Sequence, residues 1–146
     1  MNAPGFPISK LKAKPKRAKL STIQSKADGA MSQYIRQKFA VDGYCTCVSC
    51  GRSFRWQEMD CGHYIPKSKG AAIRWVEENV APECHSCNRF DESHLIGYTF
   101  WMLEWYGKEK IDELKRLSRQ TLSPSKKRQL AEEAIDYYTQ ALKEMT

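Results

Sequence analysis

Six cysteines lie in the middle of the chain, and four of them form two pairs with metal-ligand spacing. Cys47 and Cys50 make one C-x-x-C pair, and Cys84 and Cys87 make the other. The turn inside each pair lets both thiolates bind one ion, and two such pairs complete a tetrahedral site. Gly51 follows the first pair and suits its tight turn. The sequence therefore predicts a structural zinc ion held by four thiolates.

Other uses of the cysteines are open at this level. Disulfides are one alternative, but a chain without a signal peptide is expected in a reducing compartment, where disulfides are rare. Redox catalysis is another, although two pairs favour a metal over a single dithiol motif. Cys45 and Cys61 are left over, and the default for each is a small buried thiol. Cys45 could also replace Cys47 as a ligand, and His85, inside the second pair, could replace a cysteine.

A functional element is expected between the two pairs, because the 33 residues that separate them exceed the spacing of a simple zinc ribbon. The strings CGHYI and NVAPECHSCN, followed by LIGY, lie in and beside it. These strings resemble the core of HNH nucleases, also called ββα-metal or His-Me finger nucleases. In that family a strand ends in a histidine, a loop asparagine follows, and a helix opens with a His or Asn metal ligand. The matching positions here are His63, Asn79 and Asn88.

With cysteine pairs around this motif, the chain is similar to the phage lambda NinG (Rap) recombination family over roughly residues 14–120. The resemblance implies an α+β fold, in which N-terminal and C-terminal helices flank a zinc-stabilised ββα-metal core. It implies a Mg²⁺- or Mn²⁺-dependent endonuclease that cuts branched recombination intermediates, such as Holliday junctions and D-loops. DNA is then the partner, and the cytoplasm of a bacterial host carrying the phage or prophage is the location.

The implied reaction is the hydrolysis of a phosphodiester. An unperturbed histidine titrates close to neutral pH, so His63 is expected to be the general base that deprotonates water. A divalent ion would offset the charge on the scissile phosphate, and oxygen ligands suit Mg²⁺. Asn88 is expected to bind this ion through its side-chain oxygen. As the resemblance implies, Asn79 holds the loop that orients the imidazole. His94 is expected to have no role.

The second ligand of the catalytic ion is ambiguous, because Gly62 stands directly before the expected base, where many HNH motifs have Asp or His. Asp91 is ranked first, since i+3 spacing from Asn88 puts both side chains on one face of the predicted helix. Asp60 is ranked second, because it lies three positions before the base, and only a bulge would bring it to the same face of the strand. Glu92 is ranked third, at i+4.

Basic residues are unevenly distributed. Residues 1–20 carry six basic and no acidic residues, whereas the remaining 126 residues hold 18 basic and 17 acidic residues, for a total charge of +7. Such an arm is typical of a tether attracted to a phosphate backbone, and a solubilising tail is the alternative. A second group near the expected site is suited to gripping phosphates, or is simply a solvated surface. Its members are Lys67, Lys69, Arg74 and Arg89.

The composition excludes a disordered or membrane-spanning chain. With 41% hydrophobic and 28% charged residues, the 146-residue chain is typical of one folded domain. Charged residues interrupt every apolar run before the roughly 18 residues that a membrane helix needs. We divide the chain into a basic arm (1–20), an N-terminal helix (21–42), the zinc-bound nuclease core (43–106) and a helical C-terminal region (107–146).

The spacing of apolar and turn residues predicts the finer elements. They are a helix over 22–40 with Ser21 as N-cap, a hairpin over 53–65, a helix from Asn88 to Gly107, a helix over 108–119, and a helix from Pro124 to about residue 144 with Ser123 as N-cap. Residues 71–78 fit a short helix or an extended segment. Tyr98, Trp101 and Trp105 are expected to pack as core.

Two rival functions fit the same residues. A non-catalytic zinc module could bind DNA on this scaffold, or an HNH enzyme could nick or restrict linear duplex DNA. Because symmetric resolution of a four-way junction needs two cuts, a homodimer is also expected, formed through the C-terminal helices. One face of the last predicted helix carries a stripe that is either part of the core or the dimer interface. Its residues are Leu130, Ala134, Tyr137, Ala141 and Met145.

Overall fold

The structure is a computed structural model, and it describes residues 17–145. Most of the basic arm expected over residues 1–20 lies outside the described residues. Five helices and four short strands make up an α+β fold. They are α1 (Leu20–Lys38), β1 (Tyr44–Thr46), β2 (Ser53–Arg55), β3 (Asp60–His63), β4 (Val80–Glu83), α2 (His85–Arg89), α3 (His94–Trp105), α4 (Lys108–Ser118) and α5 (Pro124–Glu144). Within these residues, no helix is both long and apolar enough to cross a membrane.

The strands form two separate antiparallel pairs. In the first pair, β1 lies beside β2, with Cys45 opposite Phe54. In the second pair, β3 lies beside β4, and α2 begins two residues after β4 ends. The hairpin expected over 53–65 is wrong, because residues 56–58 form a 3₁₀ turn that carries the chain from one strand pair to the next. The functional strand β3 therefore pairs with a strand about twenty residues away along the chain.

The ends of the outer helices follow local chemistry. The helix expected over 22–40 is confirmed as α1, but its N-cap is Lys19 rather than Ser21, and no side chain caps it. The start of α5 is confirmed, since the Ser123 Oγ accepts a hydrogen bond from the Lys126 amide at 3.2 Å. Proline at the first position of that helix costs no hydrogen bond.

The single helix expected from Asn88 to Gly107 is wrong. The chain leaves helical geometry after Arg89 and becomes helical again at His94. In between, Asp91 Oδ1 accepts hydrogen bonds from the amide and the hydroxyl of Ser93, at 2.9 and 2.7 Å. This local turn competes with continuation of the helix. Residues 71–78 contain two short 3₁₀ turns, at Ala71–Ile73 and Glu77–Asn79.

The helices bury two apolar clusters around the strands. α1 packs on α5 through Ala27, Met31, Ile35, Ala131, Ala134 and Tyr138. α3 packs on α4 through Tyr98, Met102, Ile111 and Leu114. The buried residues of α5 thus face α1. In the stripe on α5 that was expected to be core or dimer seam, Ala134 is buried, whereas Tyr137 is 57% exposed. Of the three aromatic residues expected in the core, Tyr98 is fully buried, Trp101 is partly buried and Trp105 is 60% exposed.

Gly97 on α3 lies against the first cysteine pair. A Cβ built at this position would overlap the backbone carbonyl oxygen of Ser49, which lies between Cys47 and Cys50. Backbone atoms cannot move aside as the end of a flexible side chain can. The absence of a side chain at residue 97 therefore sets how closely α3 approaches this loop.

We expect Gly97→Ala to lower the free energy of unfolding by about 1–3 kcal/mol, the usual cost of overpacking. Gly29→Ala is the matched control, because a Cβ at this exposed position in α1 meets no atom within 4 Å. Alanine there should stabilise the protein by about 0.5–1 kcal/mol, since glycine is a poor helix former. Urea unfolding measures both values, and equal stability of the two variants would contradict the close contact.

Candidate active site and metal centre

Four thiols converge at the junction of the two strand pairs. The sulfur atoms of Cys47, Cys50, Cys84 and Cys87 all lie within 4.8 Å of one another. The first two follow β1, and their turn is closed by a hydrogen bond from the Gly51 amide to the Cys47 carbonyl at 2.9 Å. Gly51 adopts a φ of 79°, which glycine reaches without strain. Four sulfur donors at this separation could hold one tetrahedral metal ion.

The electrostatic surroundings of these thiols differ. Burial raises the pKa of Cys50, but hydrogen bonds to its sulfur, foremost from the Arg52 guanidinium at 3.3 Å, lower it overall to about 6. Burial raises the pKa of Cys47 and of Cys87. Since thiolates are the metal-binding form, a bound cation would draw the protons off all four sulfurs.

The remaining thiols and the nearby histidine lie outside the four-thiol group. The Cys45 thiol donates to the Arg36 carbonyl at 3.0 Å. Burial raises the pKa of Cys61 to about 12, so this residue is a protonated thiol. His85 Nε2 lies 3.0 Å from Asp60 Oδ1. None of the three therefore joins the four-thiol group, and the two C-x-x-C pairs supply all of its members.

His63 ends β3 with its imidazole held in one orientation. Its Nε2 lies 2.8 Å from the carbonyl oxygen of Arg74. Because a carbonyl oxygen only accepts, Nε2 carries the hydrogen and the neutral ring leaves Nδ1 unprotonated. Burial lowers the pKa of His63 below its usual value, despite the bond to this carbonyl. The ring is therefore neutral at pH 7 and can accept a proton at Nδ1.

Asn79 is fully buried and ties together the loop that carries Arg74. Its Oδ1 accepts from the Ile65 amide at 2.9 Å. Its Nδ2 donates to the carbonyl oxygens of Ile65 and Ile73, at 3.0 and 3.4 Å. Ile73 directly precedes Arg74, whose carbonyl accepts from His63. The amide thus fixes both ends of the loop between β3 and the residue that orients the imidazole.

His63 and Asn88 line one cavity of about 330 Å³ between β3, α1 and the start of α3. An adjoining polar cleft of about 450 Å³ shares Asn88 with this cavity and is also lined by Asp60, His85 and Arg89. The other residues that line the cavity are Asp28, Met31, Ser32, Cys61, Pro66, Lys67 and His94. The expected base and the expected metal ligand on α2 are therefore brought together.

Asp60 is the carboxylate beside Asn88. It accepts a hydrogen bond from Asn88 Nδ2 at 3.0 Å, and Arg89 donates to both of its oxygens at 2.9 Å. Burial raises the pKa of Asp60, but the bonds from Arg89 and Asn88 outweigh it and lower the pKa overall. The carboxylate is therefore ionised, and no described residue donates a hydrogen bond to the side-chain oxygen Oδ1 of Asn88, which can therefore face a cation.

Asp91 does not lie on the same helix as Asn88, contrary to expectation, because α2 ends at Arg89. Asp91 and Glu92 both lie beyond this end and are exposed. One carboxylate oxygen of Asp91 accepts both hydrogen bonds from Ser93. No bulge is recorded in β3, which pairs in continuous register with β4, yet Asp60 reaches Asn88. Asp60 is therefore the carboxylate that contacts Asn88, and the identity of the second metal ligand stays a prediction.

Two of the four residues expected to grip phosphates instead pair with Asp28 of α1. Arg74 donates to both oxygens of Asp28, at 3.0 and 2.6 Å, and Lys67 lies 3.4 Å from it. Arg89 is paired with Asp60, as described above. Lys69 is exposed on the loop after β3. Most of the local positive charge is therefore balanced by acids within the protein.

Three residues at the site were not expected to belong to it: Asp28, Glu83 and His94. Glu83 is fully buried, and its Oε2 accepts from Ser49 Oγ at 2.6 Å and lies 2.8 Å from His94 Nδ1. The one sequence feature that could have revealed this group is an acid inside the apolar strand VAPE. Asp28 gives no such indication, because it occupies an ordinary position on an amphipathic helix.

Comparison with known proteins matches this chain to a family. The model of the family described as Bacteriophage Lambda NinG protein matches residues 7–146. Curated relatives named Protein ninG, from Escherichia phages 933W and lambda and from Salmonella phage P22, are each 29% identical over 109 residues. The alignment covers 73% of this chain and 48–49% of each relative, so the chain spans about half the length of the relatives it matches. No solved structure matches. Since the family model covers nearly the whole sequence, the chain belongs to the NinG family of phage proteins.

Proposed function

We propose that this protein is a metal-dependent DNA endonuclease of the HNH type. One observation carries the proposal: a neutral imidazole with a free nitrogen, on His63, shares a cavity with Asn88, whose oxygen is available to a cation. Together they supply a base for water and an anchor for a divalent ion beside one phosphate. The resemblance to the HNH motif supports the same assignment.

Zinc is the ion we propose for the four-thiol group. Soft thiolates in a closed tetrahedral set suit zinc, and among residues 17–145 no oxygen or nitrogen donor belongs to the group. The group lies between two strand pairs of three and four residues per strand, which are too short to be stable alone. We therefore assign this ion a structural role.

For catalysis we propose Mg²⁺ or Mn²⁺, held by Asn88 and by Asp60, with Asp91 and Glu92 ranked below Asp60. The ion, when bound, offsets negative charge on the scissile phosphate and on the leaving oxygen. His63 takes the proton of the attacking water at Nδ1, while the Arg74 carbonyl keeps the ring oriented. Asn79 acts as a positioning residue, since it fixes the loop on which this carbonyl lies.

The substrate we propose is branched DNA formed during phage recombination, as implied by the resemblance to the NinG (Rap) nucleases. Lys67 lines the cavity, Lys69 lies on the loop after β3 and Arg89 lines the adjoining cleft, so all three can contact phosphates, with the basic arm adding attraction. Arg74 is the weakest of the four candidates, because its side chain is bound to Asp28 and only 18% exposed, whereas that of Arg89, although paired with Asp60, is 54% exposed. A homodimer in the host cytoplasm, making two cuts in one junction, completes the proposal.

Replacing His63 by alanine should lower the rate of Mg²⁺-dependent cleavage by about 10²–10⁴-fold, the usual contribution of a general base. The variant should keep its metal content and its affinity for DNA, because the imidazole contacts neither the four thiols nor the exposed lysines. Labelled four-way junctions, flaps and linear duplexes, incubated with and without Mg²⁺ at matched salt, measure the effect.

Two outcomes would change the assignment. If the unmodified protein cuts none of these DNAs while binding them, it is a non-catalytic DNA-binding module. If it cuts linear duplex as fast as junctions, the preference for branched DNA is wrong while the nuclease assignment stands.

Replacing Cys84 by serine should remove the bound zinc, because the tetrahedral set loses one thiolate and serine is a poor ligand for zinc. Cys45→Ser is the matched control, since Cys45 is equally buried but its thiol binds the Arg36 carbonyl, which a hydroxyl can also do. Elemental analysis should give one zinc ion per chain for the control and less for Cys84→Ser. Full zinc in both variants would contradict the four-thiol site.

A further inference from the structure

Glu83 is a fully buried carboxylate for which the proposed reaction has no use. Its Oε2 accepts hydrogen bonds from Ser49 and His94, but its Oε1 has no hydrogen-bond partner among the described residues. A Cβ built on Gly62 would overlap this oxygen, so the carboxylate lies against the residue directly before His63. Burying an ionised carboxyl group is unfavourable unless a positive charge compensates it. A compensating charge is therefore expected close to Glu83.

His94 connects this buried carboxylate to the catalytic cavity. Its Nδ1 lies 2.8 Å from Glu83 Oε2, so Nδ1 carries the hydrogen and Nε2 is the nitrogen left over. The side chain is 19% exposed and lines the same cavity as His63 and Asn88. The two imidazoles are held through different nitrogens, because His63 donates to the Arg74 carbonyl through Nε2, whereas His94 bonds to Glu83 through Nδ1. Each histidine thus offers the cavity a different nitrogen.

We propose that His94 is a protein ligand of the catalytic ion through Nε2, and that Glu83 is the positioning residue that holds it. This inference rests on the proposed function and adds a ligand to its metal site. A carboxylate bonded to the distal nitrogen of a histidine fixes the tautomer and raises the basicity of the ligating nitrogen. A divalent ion at Nε2 would also place positive charge on the far side of the imidazole from the buried Glu83 side chain.

Ser49 joins this arrangement to the four-thiol group. It lies between Cys47 and Cys50, and its hydroxyl donates to Glu83 Oε2 at 2.6 Å. Its carbonyl is the group that Gly97 of α3 approaches, three residues after His94. The loop that carries two of the four thiols therefore supports both the carboxylate and the helix start that positions His94.

A nitrogen ligand has a consequence for the choice of metal. Mg²⁺ requires hard oxygen donors, whereas imidazole nitrogen increases the affinity of first-row transition ions. With Asn88 offering an oxygen and His94 a nitrogen, the site should prefer Mn²⁺ to Mg²⁺. Removing the nitrogen while leaving an oxygen in its place should abolish that preference.

The test is the binding of Mn²⁺ and of Mg²⁺, each alone, to the zinc-loaded full chain without DNA, measured by calorimetry. His94→Asn should weaken Mn²⁺ binding by about tenfold or more and change Mg²⁺ binding far less. Glu83→Gln keeps the shape of the side chain but removes its charge, and should weaken Mn²⁺ binding in the same direction. His63→Ala is the control, because the base is not a ligand and its loss should leave Mn²⁺ affinity within about twofold.

Zinc content and thermal unfolding establish that each variant is folded. Should His94→Asn fail to fold, the unmodified protein still decides the question: electron spin echo spectra of bound Mn²⁺ must then show hyperfine coupling to a directly coordinated imidazole nitrogen. Unchanged Mn²⁺ affinity in a folded His94→Asn protein would overturn the proposal. So would an equal loss of Mn²⁺ and Mg²⁺ binding, which indicates a purely structural role, or slower cleavage with intact Mn²⁺ binding, which indicates a proton donor.

The metal-binding measurements need no DNA, whereas the cleavage measurements do, so together they separate the two proposals. If Mn²⁺ binding depends on His94 but no DNA is ever cut, the metal site is present and the nuclease function fails. If DNA is cut and Mn²⁺ binding ignores His94, the nuclease function stands and His94 has another role.

Discussion

The convergence of four thiols is the constraint on which the rest of this structure depends. Cys47 and Cys50 belong to the loop after β1, and Cys84 and Cys87 belong to the junction of β4 and α2. Strands of three or four residues bury too little surface to hold their own pairing. A metal ion bound by all four thiols, as we propose, would link these pieces, and its binding energy would then contribute directly to folding.

The position of the candidate site follows from this junction. Asn88 comes directly after Cys87, so whatever fixes the thiols also fixes the start of α2 and the amide that faces the cavity. The opposite wall is held differently, by the buried Asn79 and by the backbone carbonyl that accepts from His63. α1 closes the cavity through Asp28, which neutralises Arg74 and Lys67. One wall thus depends on the four thiols and the other on hydrogen bonds to the backbone.

The parts of this structure that sequence could predict are those set by local spacing. C-x-x-C spacing predicts the four-thiol group because each turn is local, and the helical periodicity of α1, α4 and α5 is strong. The helix break at residues 90–93 was missed because one Asp side chain, on Asp91, captures the donors of Ser93. The pairing of β3 with β4 was missed because strands this short show no alternation. Asp28 lies 46 residues from Arg74, and no local pattern reports such a contact.

The roles of individual residues were harder to predict from the sequence than which residues lie close to the candidate site. His63, Asn79 and Asn88 were singled out through resemblance, and the structure brings them around one loop and one cavity. The carboxylate ranking rested on a helix that ends too early, and Asp60 rather than Asp91 is the partner of Asn88. The sequence gives no sign of a role for His94, because its orientation depends on a contact with the buried Glu83, eleven residues away along the chain.

The most direct test of this account is anomalous diffraction from crystals of the zinc-loaded protein soaked in Mn²⁺, recorded at the absorption edges of both metals. We expect one zinc peak at the centre of the four sulfurs and one manganese peak in the cavity between Asn88 and His94, within reach of a water at His63 Nδ1. A manganese peak elsewhere, an empty cavity, or zinc away from the four sulfurs would contradict it.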